Sequence, residues 1–145
     1  MKAVHALLAV GLLLAMNAYP QQAERVRFEA VDIVLDSGDL PLAAYQFEFA
    51  AETGQITIVG IEGGDHPAFK EPPYYDPAAL RNEKVIIAAF STAQELPSGT
   101  TRVARVHVQV AGDVEPEYVV VLRVAASPDG ERIPATATAL RGENR

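Results

Sequence analysis

From Val26 onward, apolar side chains recur at every second position in short runs, and each run stops at glycine, proline or an acidic turn. A period of two sets alternate side chains on opposite sides of an extended strand, so such runs suit a sheet with one buried face and not an amphipathic helix. Residues 26–30 alternate and residues 31–35 continue with the opposite parity, which predicts a bulge near Ala30-Val31 before Asp36-Ser37-Gly38-Asp39 breaks the strand. Ala43, Tyr45, Phe47 and Phe49 share one parity against Leu42, Ala44, Gln46 and Glu48. Residues 55–61 follow a turn at Glu52-Thr53-Gly54, and residues 84–90 carry a VIIAAF centre that reads as buried on both faces. Ala104, Val106, Val108 and Val110 oppose Arg105, His107 and Gln109, and Tyr118, Val120, Leu122 and Val124 line one side of the next run. A weak last strand is read over residues 132–139. About seven strands separated by Pro/Gly turns, with helical signals no longer than a turn or two, predict an all-β antiparallel sandwich. Asp76-Pro77-Ala78-Ala79-Leu80 is one such turn, with an aspartate cap and proline at its first position.

The chain has 145 residues, 49% of them hydrophobic and 21% charged, enough for one domain with a core of its own. It has no cysteine, which removes disulfides, thiolate metal sites and cysteine nucleophiles together. A formal net charge of −7 opposes binding to a phosphate backbone, so no nucleic-acid partner is expected.

Before the alternating region, Met1-Lys2 leads into an apolar run over residues 3–18 and then polar Gln21-Gln22. One basic residue followed by a short apolar stretch is the layout of a secretory signal. Cleavage after Ala18 would place Met16 at −3, and after Ala23 would place Gln21 there, so an uncleaved anchor is the other reading. Sixteen apolar residues make a helix of about 24 Å, which Lys2 can extend toward a roughly 30 Å hydrocarbon layer by snorkelling. Both readings put the domain on the exported, periplasmic or extracellular side, with the inner membrane as the anchor's site. The expected organisation is a signal peptide or N-terminal hydrophobic helix over 1–19, a linker over 20–25, the sandwich over 26–140 and a tail over 141–145.

The longest connection, residues 63–83, reads GGDHPAFKEPPYYDPAALRNE. Loops of this length inside small domains are often functional. His66, Phe69, Tyr74 and Tyr75 are the candidate partner-binding residues there, with one tyrosine expected to pack and the other to face solvent. Glu62, Asp65 and Asp76, with His66 and Glu71 nearby, offer the oxygen ligands that calcium prefers, and one histidine among carboxylates suits zinc. The spacing matches neither an EF-hand nor a zincin, so no metal site is assigned and structural calcium is the ion the region would suit. No motif implies any other cofactor or metal. Asp36-Ser37-Gly38 has the tripeptide of an aspartic protease, against which stands the simpler reading of an Asx turn between strands. There is no GxSxG, P-loop, dinucleotide fingerprint or HExxH.

The order of the runs resembles the cohesin-like branch of bacterial extracellular β-sandwiches. The resemblance is carried by LAAYQFEFAAETGQITIVGIEGG, by KVIIAAFST and by LPSGTTRVARVHVQVAG, over roughly residues 26–127. It implies a cohesin-like jelly roll that binds protein partners through a sheet face and adjacent loops, in a group whose related sandwiches bind carbohydrate. The function expected from the sequence is therefore non-enzymatic: an exported, membrane-tethered accessory or scaffold subunit of an envelope assembly. A carbohydrate-binding module using the exposed tyrosine is the alternative, and an aspartic-type hydrolase at Asp36 ranks third.

Overall fold

The alternating runs become eight strands in the computed structural model, which describes residues 23–143. These are β1 (Val26–Asp36), β2 (Ala44–Thr53), β3 (Gln55–Gly63), β4 (Tyr74–Tyr75), β5 (Lys84–Phe90), β6 (Thr100–Ala111), β7 (Glu117–Ala126) and β8 (Thr136–Arg141). They form two four-stranded sheets, ordered β3-β6-β1-β8 and β4-β5-β2-β7, in which every pairing is antiparallel. Every connection except β4 to β5 passes from one sheet to the other. The all-β sandwich expected from alternation is the observed architecture, and among the described residues the helical segments are two 3-10 turns, Pro67–Phe69 and Pro77–Ala79. The expected N-terminal helix over 1–19 lies outside the described residues. Among the described residues, no helix is long and apolar enough to cross a membrane.

The core is the sum of the inward parities. Val31, Ile33 and Leu35 of β1, Val106 and Val108 of β6 and Ile58 of β3 face Phe47 and Phe49 of β2 and Ile87 of β5, all fully buried. Removing this much apolar surface from water is the main favourable term in folding.

Four local expectations are corrected. In β1 the inward parity runs unbroken through Arg27, Glu29, Val31, Ile33 and Leu35, so no bulge falls at Ala30-Val31 and Phe28 points outward, 64% exposed. The register shifts instead where Ile33 pairs with Ala104 and Val34 with Arg102, which leaves Val103 of β6 as the extra residue. That displacement turns the Val103 carbonyl to the Tyr45 hydroxyl, which donates to it at 3.1 Å inside the core. The VIIAAF segment is buried on one face only, because Val85 and Ile87 point inward while Ile86 and Phe90 are 52% and 65% exposed. On β7 a second shift, at Arg123, moves Val124 out of the row of Tyr118, Val120 and Leu122 and opposite Gln46. Finally, the last strand begins at Thr136 and ends at Arg141, one residue beyond the expected domain end.

The 63–83 connection closes one side of the sandwich. It starts at Gly63 and Gly64, where any β-carbon would overlap the carbonyls of Lys70 and Arg102, so the chain can return this tightly only through glycine. Phe69 then enters the core, 3% exposed, with its ring tilted 59° against Tyr45 at 5.2 Å between centroids. Next, β4 adds to β5 through Tyr74–Ala88 and Tyr75–Ile87 pairs. Last, Arg81 N donates to Ile58 O at 2.7 Å and Ile58 N to Asn82 O at 2.8 Å, tying the end of the connection to the other sheet. Because Phe69 is what anchors the connection, Phe69→Ala should lower unfolding free energy by about 3 to 5 kcal/mol in urea titration. A loss below about 1 kcal/mol would mean that the ring is not an anchor.

Candidate functional site

The residues singled out in the long connection go to different places. His66 caps the first 3-10 turn, its Nδ1 accepting from Ala68 N at 3.1 Å. Phe69 is a core residue, and burial withholds its ring from any surface contact. Tyr74 and Tyr75 occupy successive positions of β4 and therefore opposite faces, so Tyr75 packs against the core while Tyr74 is 68% exposed. The prospective calcium ligands do not converge. Asp65 receives two bonds from the Arg102 guanidinium, one of them from Nε at 3.0 Å. Glu62 lies 3.2 Å from His107 Nε2, and Asp76 Oδ1 caps the second 3-10 turn by accepting from Ala78 N at 2.9 Å. Among the described residues, no group of three or more His, Asp and Glu side chains is placed to hold a metal.

Asp36 sits in an Asx turn, with Oδ1 accepting from Gly38 N at 2.9 Å. The adjacent Ser37 is 3% exposed and donates to Leu40 O at 2.8 Å. Both side chains close the turn between β1 and β2.

Charged side chains on the outer face of the β3-β6-β1-β8 sheet are paired with one another. Asp32 accepts from Arg105 at both oxygens, 2.6 and 3.0 Å, and from Arg102 at 3.5 Å, while Arg102 also reaches Asp65. The Arg105 bonds hold the Asp32 carboxyl below its ordinary range, against a smaller opposing effect of burial. Phe28 and Val59 are exposed at one corner of this face, beside Arg105 and His107.

A second network closes one end of the sandwich. Glu29, inward on β1, accepts from Tyr118 Oη at 2.8 Å and from Arg27 Nε at 2.9 Å, and it also receives Arg141 Nη1. Arg141 lies over the Tyr118 ring, 5.2 Å from its centroid, and donates to Pro116 O at 2.7 Å. Burial alone would raise the Glu29 carboxyl, but the Tyr118 and Arg27 hydrogen bonds with the Arg141 and Arg27 charges outweigh it and hold the group below its ordinary range. The cluster joins β1 and β8 of one sheet to β7 of the other.

The outer face of the β3-β6-β1-β8 sheet also exposes Leu140, opposite Asp32, and the outer face of the β4-β5-β2-β7 sheet adds aromatic rings to its exposed apolar side chains. Tyr74, Ile86 and Phe90 lie on it, with the Tyr74 and Phe90 rings nearly parallel at 10° and 6.1 Å between centroids. Ile86 pairs with Glu48, and Glu48 with Val121 on the other side, so a charged side chain separates the Tyr74, Ile86 and Phe90 group from Val121. The charged members of this face are Glu48 and Lys84, with Nζ 3.2 Å from one Glu48 oxygen, Arg123, 3.9 Å from the other, and Glu117 at the start of β7. Tyr74 and Phe90 in ring contact, with Ile86 on the same strand as Phe90, form an exposed apolar group that calls for an explanation, whereas single exposed hydrophobics do not. Tyr74 was singled out from sequence, but Ile86, Phe90 and Val121 were not. Lys84 could have revealed two of them, because it shares the parity of Ile86 and Phe90, and a lysine marks the solvent side of a strand.

Comparison with known proteins finds no match, whether against family models, curated proteins or solved structures.

The networks set the acid response. A carboxylate whose folded pKa lies below its unfolded value, about 4.3 for Glu and 3.9 for Asp, contributes stability above that value and loses it as pH falls through the folded pKa. Unfolding free energy should therefore be level from about pH 7 to 5 and fall below about pH 4. Glu29→Gln should be less stable at neutral pH and show a shallower acid fall, read by denaturant titration at a series of pH values. An acid profile identical to that of the parent would remove Glu29 from this role.

Proposed function

We propose that this chain is a non-enzymatic binding module, exported and tethered to the membrane, that serves as an accessory or scaffold subunit of a cell-envelope assembly. Its partner protein docks on the outer face of the β4-β5-β2-β7 sheet. One observation carries this reading: Tyr74, Ile86 and Phe90 expose an apolar patch on that face, with Val121 across Glu48, while the charged groups of the opposite face are consumed in ion pairs. Aromatic rings with a polar rim are the composition of protein-binding surfaces. The apolar run over residues 3–18 supports export and tethering, and the cohesin-like pattern of residues 26–127 supports a sandwich that binds proteins. The long connection contributes Tyr74 to the surface and uses Phe69 to hold it there.

A carbohydrate-binding role is the second reading, favoured by the near-parallel Tyr74 and Phe90 rings, since sugars stack on such platforms. One pair of variants separates the two. Affinity-tagged protein from detergent-solubilised membranes should retain a stoichiometric partner, and Tyr74→Ser/Phe90→Ser should lose it with unchanged melting temperature. Glycan-array binding abolished by Tyr74→Ala would move the assignment to carbohydrate. Recovery of the parent protein alone from the soluble periplasm would contradict the tethered-subunit reading.

A further inference from the structure

The four edges of the two sheets are not equally protected. The edge of β3 is occupied at Ile58 by Arg81 and Asn82, β4 is two residues long and follows Pro72-Pro73, and β8 spans six residues that alternate Thr with Ala at its start. In contrast, β7 is a ten-residue edge strand, EYVVVLRVAA, with neither proline nor glycine. On its open side it is tied just before Glu117 and again from Arg123 onward, where Ala126 also bridges Arg132. Arg141 Nη2 donates to Pro116 O at 2.7 Å before it, and at the far end Arg132 Nη1 donates to Arg123 O at 3.1 Å and Ile133 N to Ala125 O at 3.0 Å. Among the described residues, no hydrogen bond outside the β2–β7 ladder reaches the backbone of residues 118–122. Long apolar edges of this kind are templates for a further strand.

The sequence of β7 selects that strand. Glu117 and Arg123 stand three residues on either side of Val120, and both are exposed. If two copies of β7 run antiparallel about a two-fold axis at Val120, Glu117 of each faces Arg123 of the other, and Val119 faces Val121. Shifting the register by two residues breaks both charge pairs. Such self-complementarity is the requirement for a two-fold interface. We propose that β7 pairs with β7 of a second copy of this chain, joining the two β4-β5-β2-β7 sheets into one eight-stranded sheet. The proposal stands on the edge and its charges and does not rest on the docking assignment above.

Charge reversal on the full chain tests it, by sedimentation in non-ionic detergent over a range of concentrations. The parent protein should dimerise reversibly. Glu117→Arg and Arg123→Glu should each weaken the dimer by about tenfold or more, because each sets like charges opposite one another at two places. The double variant Glu117→Arg/Arg123→Glu should recover the dimer, since the pairs are restored in reverse. Thermal melts of all three variants check that folding is intact. A parent that stays monomeric at every concentration, a dimer indifferent to both single reversals, or a double variant that fails to recover would each overturn the proposal. Loss of the dimer in Tyr74→Ser/Phe90→Ser with no effect of charge reversal would overturn it too, by moving the self-contact to the sheet face.

Discussion

The two layers of this sandwich are held together by a column of rings on the inner side of β2. Tyr45 stacks on Phe47 at 5.6 Å, meets Phe69 of the long connection at 5.2 Å and donates its hydroxyl to the Val103 carbonyl of the opposite sheet. At the far end of the same strand, Phe49 stacks on Tyr118 at 5.7 Å. A buried hydroxyl needs a partner, and the extra residue in β6 supplies one. Burial also pushes the Tyr45 phenol far above its ordinary range, so it stays protonated and remains a donor. The same residue thereby fixes the spacing of the sheets, the root of the long connection and, through that connection, the position of β4.

What the inner faces do with apolar surface, the outer faces do with charge. On one sheet, Asp32 is shared between Arg105 and Arg102, and Arg102 passes the pairing on to Asp65. On the other, Glu48 stands between Lys84 and Arg123, among exposed Val, Ile, Phe and Tyr side chains. Exposed ion pairs contribute little stability, so the first arrangement matters chiefly in making that face compatible with water. The second leaves apolar area that water covers at a cost, and a bound partner would remove it from solvent. On the proposed reading, folding consumes the interior and recognition uses one exterior.

Much of the fold was legible because alternation is a direct consequence of strand geometry. The inward set of β2, the set Ala104, Val106, Val108 and Val110 of β6, the Asp76 cap and the division of labour between Tyr74 and Tyr75 all follow from period two or from capping chemistry. The misread places have a common cause. Sequence parity cannot reveal a bulge whose signal is a single additional residue, as at Val103 and Arg123, since each strand reads as regular up to that point. Nor can it show that Glu29 rather than Phe28 points inward, because that choice is made by Tyr118 and Arg141 from distant parts of the chain, with Arg27 two residues away on the same strand. The apolar outer face was hidden for a related reason. Five apolar residues after Val85 look like a strand buried on both sides, and only the absence of a covering layer over Ile86 and Phe90 makes them a surface. Candidate ligands scattered along the long connection looked like a cluster because they are close in sequence, whereas capping and ion pairing send them to separate partners.

On the proposed reading, this protein meets its partner on the open face of the β4-β5-β2-β7 sheet. The most direct test places a photo-activatable side chain at Ile86, and separately at Gln109 on the opposite face, in the full chain inside its native cells. Irradiation should yield one discrete covalent adduct with another protein from position 86 and none from position 109. Adducts from position 109 alone, or none from either position, would contradict the account.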